Sequence, residues 1–518
     1  MAAFSKAVEA ASSETYKAGT KCARQHLGRV LVLGLGKSGI SVTRYLVGLL
    51  GQRVDSVFIA AGSRNDASVA FLESIKGEGI EWAFGDDALA TTDAHFDMCI
   101  ASPGIPYWHQ LYEDGLTCSD ELMSEIEFSW RESADDSIWV AITGTNGKTT
   151  TTSCCGQVLR SCGLKAAAVG NIGEVCLDAV QAGETDVYVA EVSSYQLYST
   201  TLFSPDIAVL LNITPDHVHW HRTFEAYRDA KFNVLRMSAD ARSKAGGLCK
   251  PVAVLDATND VVRAKVRELK ALPDDERPLD YIPMGTADGL HGDMRAKCGS
   301  HNAAFLSDDN TLVVAFDGNE HRLVRADDLQ VAGEHNASNV LAAISVAVAL
   351  GADDAAIAKA AADFQPLAHR IEPCGSVRGI SCFNDSKATN VDATVKALMA
   401  FPGKNVFVLL GGDDKGTDLT ELVEATCAHA VAAVCFGDAG PRFIQAFEQR
   451  ESLNDGLVIK QAPHMEEALD EALALAEPGD VVLLSPACAS FDEFKSFEQR
   501  GDIFKRLVAQ RAQAGGEA

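Results

Sequence analysis

The stretch GTNGKTTTTS, residues 144 to 153, restricts this chain more than any other. It follows the apolar, strand-like run Ile138 to Ile142 and presents a glycine-rich turn. The turn offers the backbone N–H groups of Gly144, Thr145, Asn146 and Gly147, then the ammonium of Lys148 and the hydroxyls of Thr149 and Thr150. Such a turn cradles a polyphosphate, because its N–H groups and lysine supply positive charge while a Ser/Thr hydroxyl can ligate a magnesium ion. The common P-loop spacing wants a glycine where this chain has Ile142, so the loop is a shorter variant. A plain Gly-Asn turn before a helix is the competing reading, and Lys-Thr-Thr directly after the turn speaks against it.

At 518 residues the chain is too long for a single core, and at about 150 residues per domain three domains are expected. Lysine and arginine number 45 against 72 aspartates and glutamates, a formal net charge of −27. That balance opposes broad contact with nucleic acid or an anionic membrane, so anionic ligands need local positive sites. The acidity itself reads as solvated surface. The 14 cysteines are scattered with no Cys-x-x-Cys pair, which suggests neither a disulfide framework nor a zinc site and fits a reducing cytoplasm. The first 29 residues lack the apolar core of a standard signal peptide. The longest apolar stretch, around Val340 to Ala352, is too short to span a bilayer.

From Arg29 onward the runs RVLVLG, VDSVFIA and DMCIAS alternate with amphipathic or glycine-broken segments, the rhythm of a doubly wound parallel sheet. The polar passage RESADDS, 131 to 137, suggests a boundary, giving a first domain over 1–135. DVYVAEVSS and DIAVLLNIT supply further strands, and the helix YRDAKFNVLRM follows a histidine-rich turn. From about Ser238 to Val331 the pattern is less regular and carries no functional reading. An alanine-rich helical passage, Asn336 to Phe364, runs into QPLAHRIEP, whose prolines suggest a linker, so the second domain is placed at 136–365. GISCFND, KNVFVLLGG, AVAAVCFG and DVVLLSP mark a third α/β domain, 366–518.

LGLGKSG, 33 to 39, matches the glycine fingerprint of dinucleotide sites, yet VFIAAGSR has no acidic residue before Asp66 to take a ribose, so a nicotinamide cofactor is disfavoured. The turn can still seat a diphosphate, with Gly36, Lys37 and Ser38, and with Ser63 and Arg64 available at the end of the second strand. For each of these an ordinary exposed loop residue is the alternative. Glu191 ends the apolar strand VYVAEVSS, where an ionised carboxylate needs a positive partner, and a magnesium ion beside the phosphates is one. PDHVHWH, 215 to 221, brings His217 to the same sheet edge. Its three alternating histidines keep a zinc hydrolase in view, although no accompanying carboxylate or cysteine set lies nearby, and His219 and His221 read as loop histidines. Lys231, on the helix that follows, reads by itself as solvated.

Taken together, GTNGKTT, GNIG (170–173), EVSSYQL (191–197), TPDH (214–217), AYRDAK (226–231), HN with Asn339, AHR (368–370) and NDSKATN (384–390) resemble the Mur ligases of peptidoglycan synthesis. SPACASFDEFKSFEQRG (485–501) and LLGGDDKG (409–416) resemble in particular the member that adds D-glutamate to UDP-N-acetylmuramoyl-L-alanine. The resemblance runs from Arg29 to the last helix. It implies an α/β fold of three domains: a Rossmann-like domain for the uridine nucleotide, a central P-loop-type ATPase domain with a parallel sheet, and a Rossmann-like domain for the amino acid.

The resemblance implies that Lys148 binds the β and γ phosphates of ATP, that Thr149 and Glu191 hold one Mg²⁺, and that His217 holds a second with Lys231 as a carbamate. Asn171 and Ser193 then face the muramoyl substrate. Asn339, Arg370 and Asp385 contact ATP, and Thr389, Lys415, Ser490 and Phe497 form the D-glutamate site. The expected reaction activates the alanyl carboxylate as an acyl phosphate, which the amine of D-glutamate attacks. It places a monomeric cytoplasmic enzyme in cell-wall biogenesis, and thus in cell shape and division. Where a DHxDR-like run is frequent in the family this chain has His219 and Trp220, which leaves any role of that Asp and Arg open. Other amino-acid-adding ligases and a folate polyglutamate ligase are the near alternatives, and a nicotinamide oxidoreductase resting on LGLGKSG is the distant one.

Overall fold

The structure, a computed structural model, describes residues 16–62, 64–90, 94–236, 250–273, 276–285, 289–293, 295, 300–331, 333–413, 416–450 and 456–514. Ser63 and Lys415, both expected in binding sites, lie outside the described residues. The chain packs into two compact units. The described residues up to Asp327, with Ser338–Ala362, form the first, and Asp328–Ala337 with the residues from Asp363 onward form the second.

Two sheets make up the first unit. In the first, β1 (Gly28–Leu33), β2 (Val54–Ala61), β3 (Ile80–Phe84), β4 (Met98–Ala101) and β5 (Leu122–Ser124) run parallel in the order β3-β2-β1-β4-β5. GRVLVL is apolar at consecutive positions because β1 is covered on both faces. Val30 and Val32 pack with Val42 and Leu46 on one side, while Leu31 and Leu33 pack with Leu111 and Tyr112 on the other. Burying each such side chain is worth roughly 1.5–3 kcal/mol. The strand order reverses between β1 and β4, and the turn after β1 opens there, where folds of this kind bind ligands.

The second sheet has nine described strands, β6 (Ile138–Thr143), β7 (Ala166–Gly170), β8 (Val187–Glu191), β9 (Ile207–Leu210), β10 (Val252–Asp256), β11 (Asp280–Met284), β12 (Ala303–Leu306), β13 (Thr311–Phe316) and β14 (Asn319–Arg325). Their order is β14-β13-β12-β11-β10-β9-β6-β8-β7, antiparallel only at β12-β13-β14. Part of the stretch that looked irregular, 238 to 331, therefore extends this sheet. The alanine-rich passage is two helices, Glu334–Ala349 and Asp354–Ala362. Gly351, at φ +72°, ends the first helix, and the N–H of Ala352 reaches back to the carbonyl of Ala347.

In the second unit β15 (Glu372–Val377), β16 (Ile380–Asn384), β17 (Val406–Gly411), β18 (Ala432–Phe436), β19 (Val458–Gln461) and β20 (Val481–Ala487) take the order β15-β16-β20-β17-β18-β19. Only the β15–β16 hairpin is antiparallel. The AHR stretch, read as part of a linker, is anchored. Buried His369 contacts Asn384 at 3.0 Å, and a Cβ on Gly501 would come within 2.1 Å of its Nδ1. Among the described residues no helix is long and apolar enough to cross a membrane.

Candidate active site

Register fixes where the phosphate loop sits. Ile142 of β6 pairs with Glu191 of β8, and Thr143 pairs with Leu210 of β9, so the segments after these strands leave the sheet at one edge. The turn is tied to the segment after β9. The N–H of Thr145 donates to Asn212 O at 2.7 Å, and that of Asn146 donates to Asn212 Oδ1 at 2.8 Å. Thr145 Oγ1 lies 2.9 Å from the hydroxyl of Tyr227. Gly147 caps the helix Lys148–Ser161 at φ +85° with no side-chain cap and no acidic residue in the first turn, leaving the helix start electropositive.

Lys148 Nζ donates to the carbonyls of Gly144 and Thr145 at 2.9 and 2.8 Å, folded back on its own loop. Asn339, expected to contact ATP, lies in the same unit as the turn and takes a hydrogen bond from Thr151 Oγ1 at 3.3 Å. A Cβ on Gly147 would approach Asn339 Oδ1 to 2.3 Å. Gly147→Ala therefore combines a left-handed backbone with a clash, and a loss of roughly 1–3 kcal/mol is expected. Denaturant unfolding of the variant checks it.

Glu191 is buried, with one carboxylate oxygen accepting from Asn171 Nδ2 at 2.8 Å and Oε2 lacking a hydrogen-bond partner among the described residues. An orphan carboxylate oxygen beside a phosphate loop suits a hard cation. Lys231 is buried too, so the solvated reading fails. Its Nζ donates to Gly144 O at 2.6 Å and lies 4.9 Å from the Tyr227 ring centroid. Burial and, next, the ammonium of Lys148 hold its pKa well below that of a free lysine, against the opposing pull of Asp216 and Glu191. His217 caps the short helix Val218–His221 at φ +52°, with its ring 5.0 Å from that of Tyr195.

His221 differs from the loop histidine expected. It is fully buried, pairs through Nε2 with Ser194 Oγ at 2.9 Å, and burial together with His217 lowers its pKa to about 4. Among the described residues no three of His, Cys, Asp and Glu gather as a metal site, so the alternating histidines do not form a zinc constellation. Ser193 caps the helix Ser194–Tyr198, exchanging hydrogen bonds with Gln196.

At the first sheet, Gly34 has φ +88°, and a Cβ there would lie 2.9 Å from Ser102. A Cβ on Gly39 would meet Gly34 O at 1.9 Å, so both positions need glycine. Gly36 caps the helix Lys37–Val47 without a side-chain hydrogen bond. Gly36, Lys37 and Arg64 are exposed and Ser38 is half-buried. Asp66 belongs to the helix Asp66–Ser74, beyond the end of β2, which weakens the nicotinamide reading further.

In the second unit Asp385 is buried, and desolvation lifts its pKa to about 7 against the hydrogen bond from Ser485 Oγ at 2.8 Å and the charge of Arg370. Thr389 is half-buried one residue before the cap of the helix Val391–Leu398, and Ser490 is buried. The backbone oxygen of Phe497, expected to face the amino acid, accepts from Ser386 Oγ at 2.8 Å. Two residues passed over in the sequence stand out. Lys387 places its ammonium 3.6 Å from the Phe497 ring centroid. Buried Arg500 donates to Ser386 Oγ, Ser386 O, Cys488 O and Ala489 O, fixing the segment that carries Ser490. Both lie inside the quoted NDSKATN and EQRG motifs, which was the available signal.

Residues 142–347 match the family described as Mur ligase middle domain, and residues 369–488 match Mur ligase, glutamate ligase domain. A UDP-N-acetylmuramoylalanine--D-glutamate ligase of Thermoanaerobacter sp. (strain X514) is 34% identical over 484 residues, covering 93% of this chain and 98% of that protein. The chain belongs to the Mur ligase family. The protein of the same name from Salinibacter ruber is 36% identical over 489 residues, covering 93% of this chain and 97% of its own. Among solved structures, a pseudomurein peptide ligase type C from Methanothermus fervidus superposes with a TM-score of 0.51 at 16% identity, covering 93% of this chain and 99% of that one. A UDP-N-acetylmuramate-alanine ligase from Thermotoga maritima gives 0.50 at 16%, with 94% and 99% covered. The Mur ligase fold and the α/β architecture of three sheets agree with the expectation from sequence.

Proposed function

We propose that this Mur ligase joins D-glutamate to UDP-N-acetylmuramoyl-L-alanine at the expense of ATP. The observation that carries the reading is similarity at 34% identity across nearly the whole of proteins bearing that activity in their name. In this reading the domains are 1–135 for the uridine substrate, 136–365 for ATP and 366–518 for the amino acid, and the enzyme works as a monomer in the cytoplasm.

The turn N–H groups of 144–147 and Lys148 take the ATP phosphates, with Thr149, Thr150 and Asn339 supporting the loop. Arg370 and Asp385 are assigned to ATP as well. The orphan oxygen of Glu191 fits a Mg²⁺ shared with Thr149. His217 and a carbamate on Lys231 fit a second, the neutral amine of Lys231 being the form that adds to CO₂ with release of a proton. Mg²⁺ when bound supplies Lewis-acid charge neutralisation on the phosphates. The alanyl carboxylate, positioned beside Asn171 and Ser193, attacks the γ-phosphorus, the bond to the β,γ-bridging oxygen breaks and ADP leaves, and Lys148 offsets charge on the equatorial oxygens. The diphosphate of the substrate rests on Gly36, Lys37 and Ser38, with Ser63 and Arg64 beside it.

The amine of D-glutamate then attacks the acyl phosphate, phosphate leaves and an amide forms. Thr389, Lys415, Ser490 and Phe497 hold the amino acid, and Lys387, on the Phe497 ring, is a further cation for its carboxylates. The test is phosphate release with ATP, Mg²⁺, UDP-N-acetylmuramoyl-L-alanine and a panel of amino acids. Release is expected with D-glutamate and only at background without the sugar nucleotide. Equal release with L-glutamate would overturn the assignment.

A further inference from the structure

A continuous wall of contacts joins the two phosphate-type turns of the first unit. It starts where Ser102, after β4, donates its N–H to Leu33 O at 2.8 Å and its hydroxyl to Gly34 O at 3.4 Å. Six residues on, Trp108 Nε1 donates to Trp220 O at 3.0 Å, and Tyr107 stacks on Tyr198 at 4.6 Å. Trp220 packs on Tyr195 at 4.8 Å, and Tyr195 packs on His217 at 5.0 Å. Tyr227, 6.1 Å from His217, closes the wall by bonding Thr145 in the phosphate loop.

One side chain on this wall has chemistry that nothing so far uses. Arg222 follows the helix Val218–His221 with φ +68° and ψ −37°, a strained conformation for a residue with a Cβ. Its guanidinium lies on the ring of Trp108, 4.0 Å from the centroid. Arg222 is exposed and Trp108 is 38% exposed. Among the described residues the guanidinium makes no hydrogen bond or ion pair, so its N–H edge stays open to a ligand while its face is fixed. Holding a guanidinium flat on an indole pre-orients the planar fork that carboxylates accept in bidentate fashion.

We propose that Arg222, braced by Trp108, is a recognition residue for the sugar-nucleotide substrate, its guanidinium pairing with the carboxylate at the acyl end. This rests on the ligase reading. The diphosphate is already served by the turn after β1, whereas Arg222 belongs to the segment that carries His217, five residues after it and two after Trp220, whose ring Tyr195 links to that of His217. The backbone carbonyl of Trp220 and the chain after it seat the Trp108–Arg222 pair.

The experiment measures binding of UDP-N-acetylmuramoyl-L-alanine and of UDP alone, by calorimetry, to wild type, Arg222→Lys, Arg222→Ala and Arg222→Gly. The glycine variant relieves the backbone strain while removing the charge, which separates a binding role from a folding role. The expected result is a dissociation constant for the sugar nucleotide raised roughly tenfold or more in both Ala and Gly variants, partial retention in Lys, and UDP binding unchanged. The thermal midpoint of the Gly variant should equal or exceed that of wild type. Wild-type affinity in Arg222→Gly overturns the proposal, and so does an equal loss for UDP, which would move the contact to the diphosphate. Wild-type protein that binds no sugar nucleotide overturns the ligase reading and this assignment together.

Discussion

Replacing Lys148 by alanine should reduce phosphate release by roughly a hundredfold or more, because a preorganised cation on a transferring phosphoryl group is worth several kcal/mol of barrier. The ammonium already sits within the turn, held on the carbonyls of Gly144 and Thr145, so it reaches the phosphates by exchanging those acceptors for phosphate oxygens and without moving the backbone. The loss should fall mainly on kcat, since the lysine is needed most when charge spreads over the equatorial oxygens. One further effect is expected. The charge of Lys148 helps to keep Lys231 neutral, so removing it relaxes that pressure on the neighbouring amine. Steady-state kinetics with an unfolding control decide the matter, and near-normal turnover in a folded variant would remove the loop from the mechanism.

Lys231→Ala should be as inactive, for a different reason. A buried amine whose pKa is pushed down loses its proton more readily than an exposed lysine does, and only the unprotonated amine adds to CO₂. Carbamate formation releases a proton, so occupancy of the modification rises with pH and falls as acid protonates the amine. Activity should follow the same direction and should respond to added bicarbonate after CO₂ is stripped. In the alanine variant a small carboxylate such as acetate should restore part of the activity by replacing the lost oxygen ligand. With ¹³C-labelled bicarbonate, wild type should give a carbamate resonance that the variant lacks. A labelled spectrum without that resonance under turnover conditions would sink the carbamate.

What the sequence made legible was chemistry carried by neighbours in the chain. The glycine turn, Lys148 and Thr149 declare themselves together because a phosphate site needs them contiguous, and Glu191 declares itself because a carboxylate at the end of an apolar strand is costly. What depended on packing was hidden. The burial of Lys231 comes from the helix Phe224–Phe232 folding back on the turn, and no local pattern marks it. His221 alternates with two other histidines, so its period resembled a metal motif, yet its neighbours in space are Ser194 and aromatic rings. Asn339 is nearly two hundred residues from Gly147, and their contact exists only once the helix Glu334–Ala349 is in place. Strand β14 escaped because, at the sheet edge, it mixes charged and apolar residues with little alternation.

That edge has a consequence for how the protein behaves when concentrated. A sheet of nine strands would normally end in a row of unpaired backbone groups able to recruit a strand from another molecule. Here the last strand reads NEHRLVR, with charged Glu320, Arg322 and Arg325 exposed to solvent, and with His321 tied to Asp354 at 2.8 Å. An incoming strand would have to strip water from those charges and gain almost no apolar contact in return. At its β14 edge the long central sheet is therefore guarded against edge-to-edge aggregation by the composition of that strand.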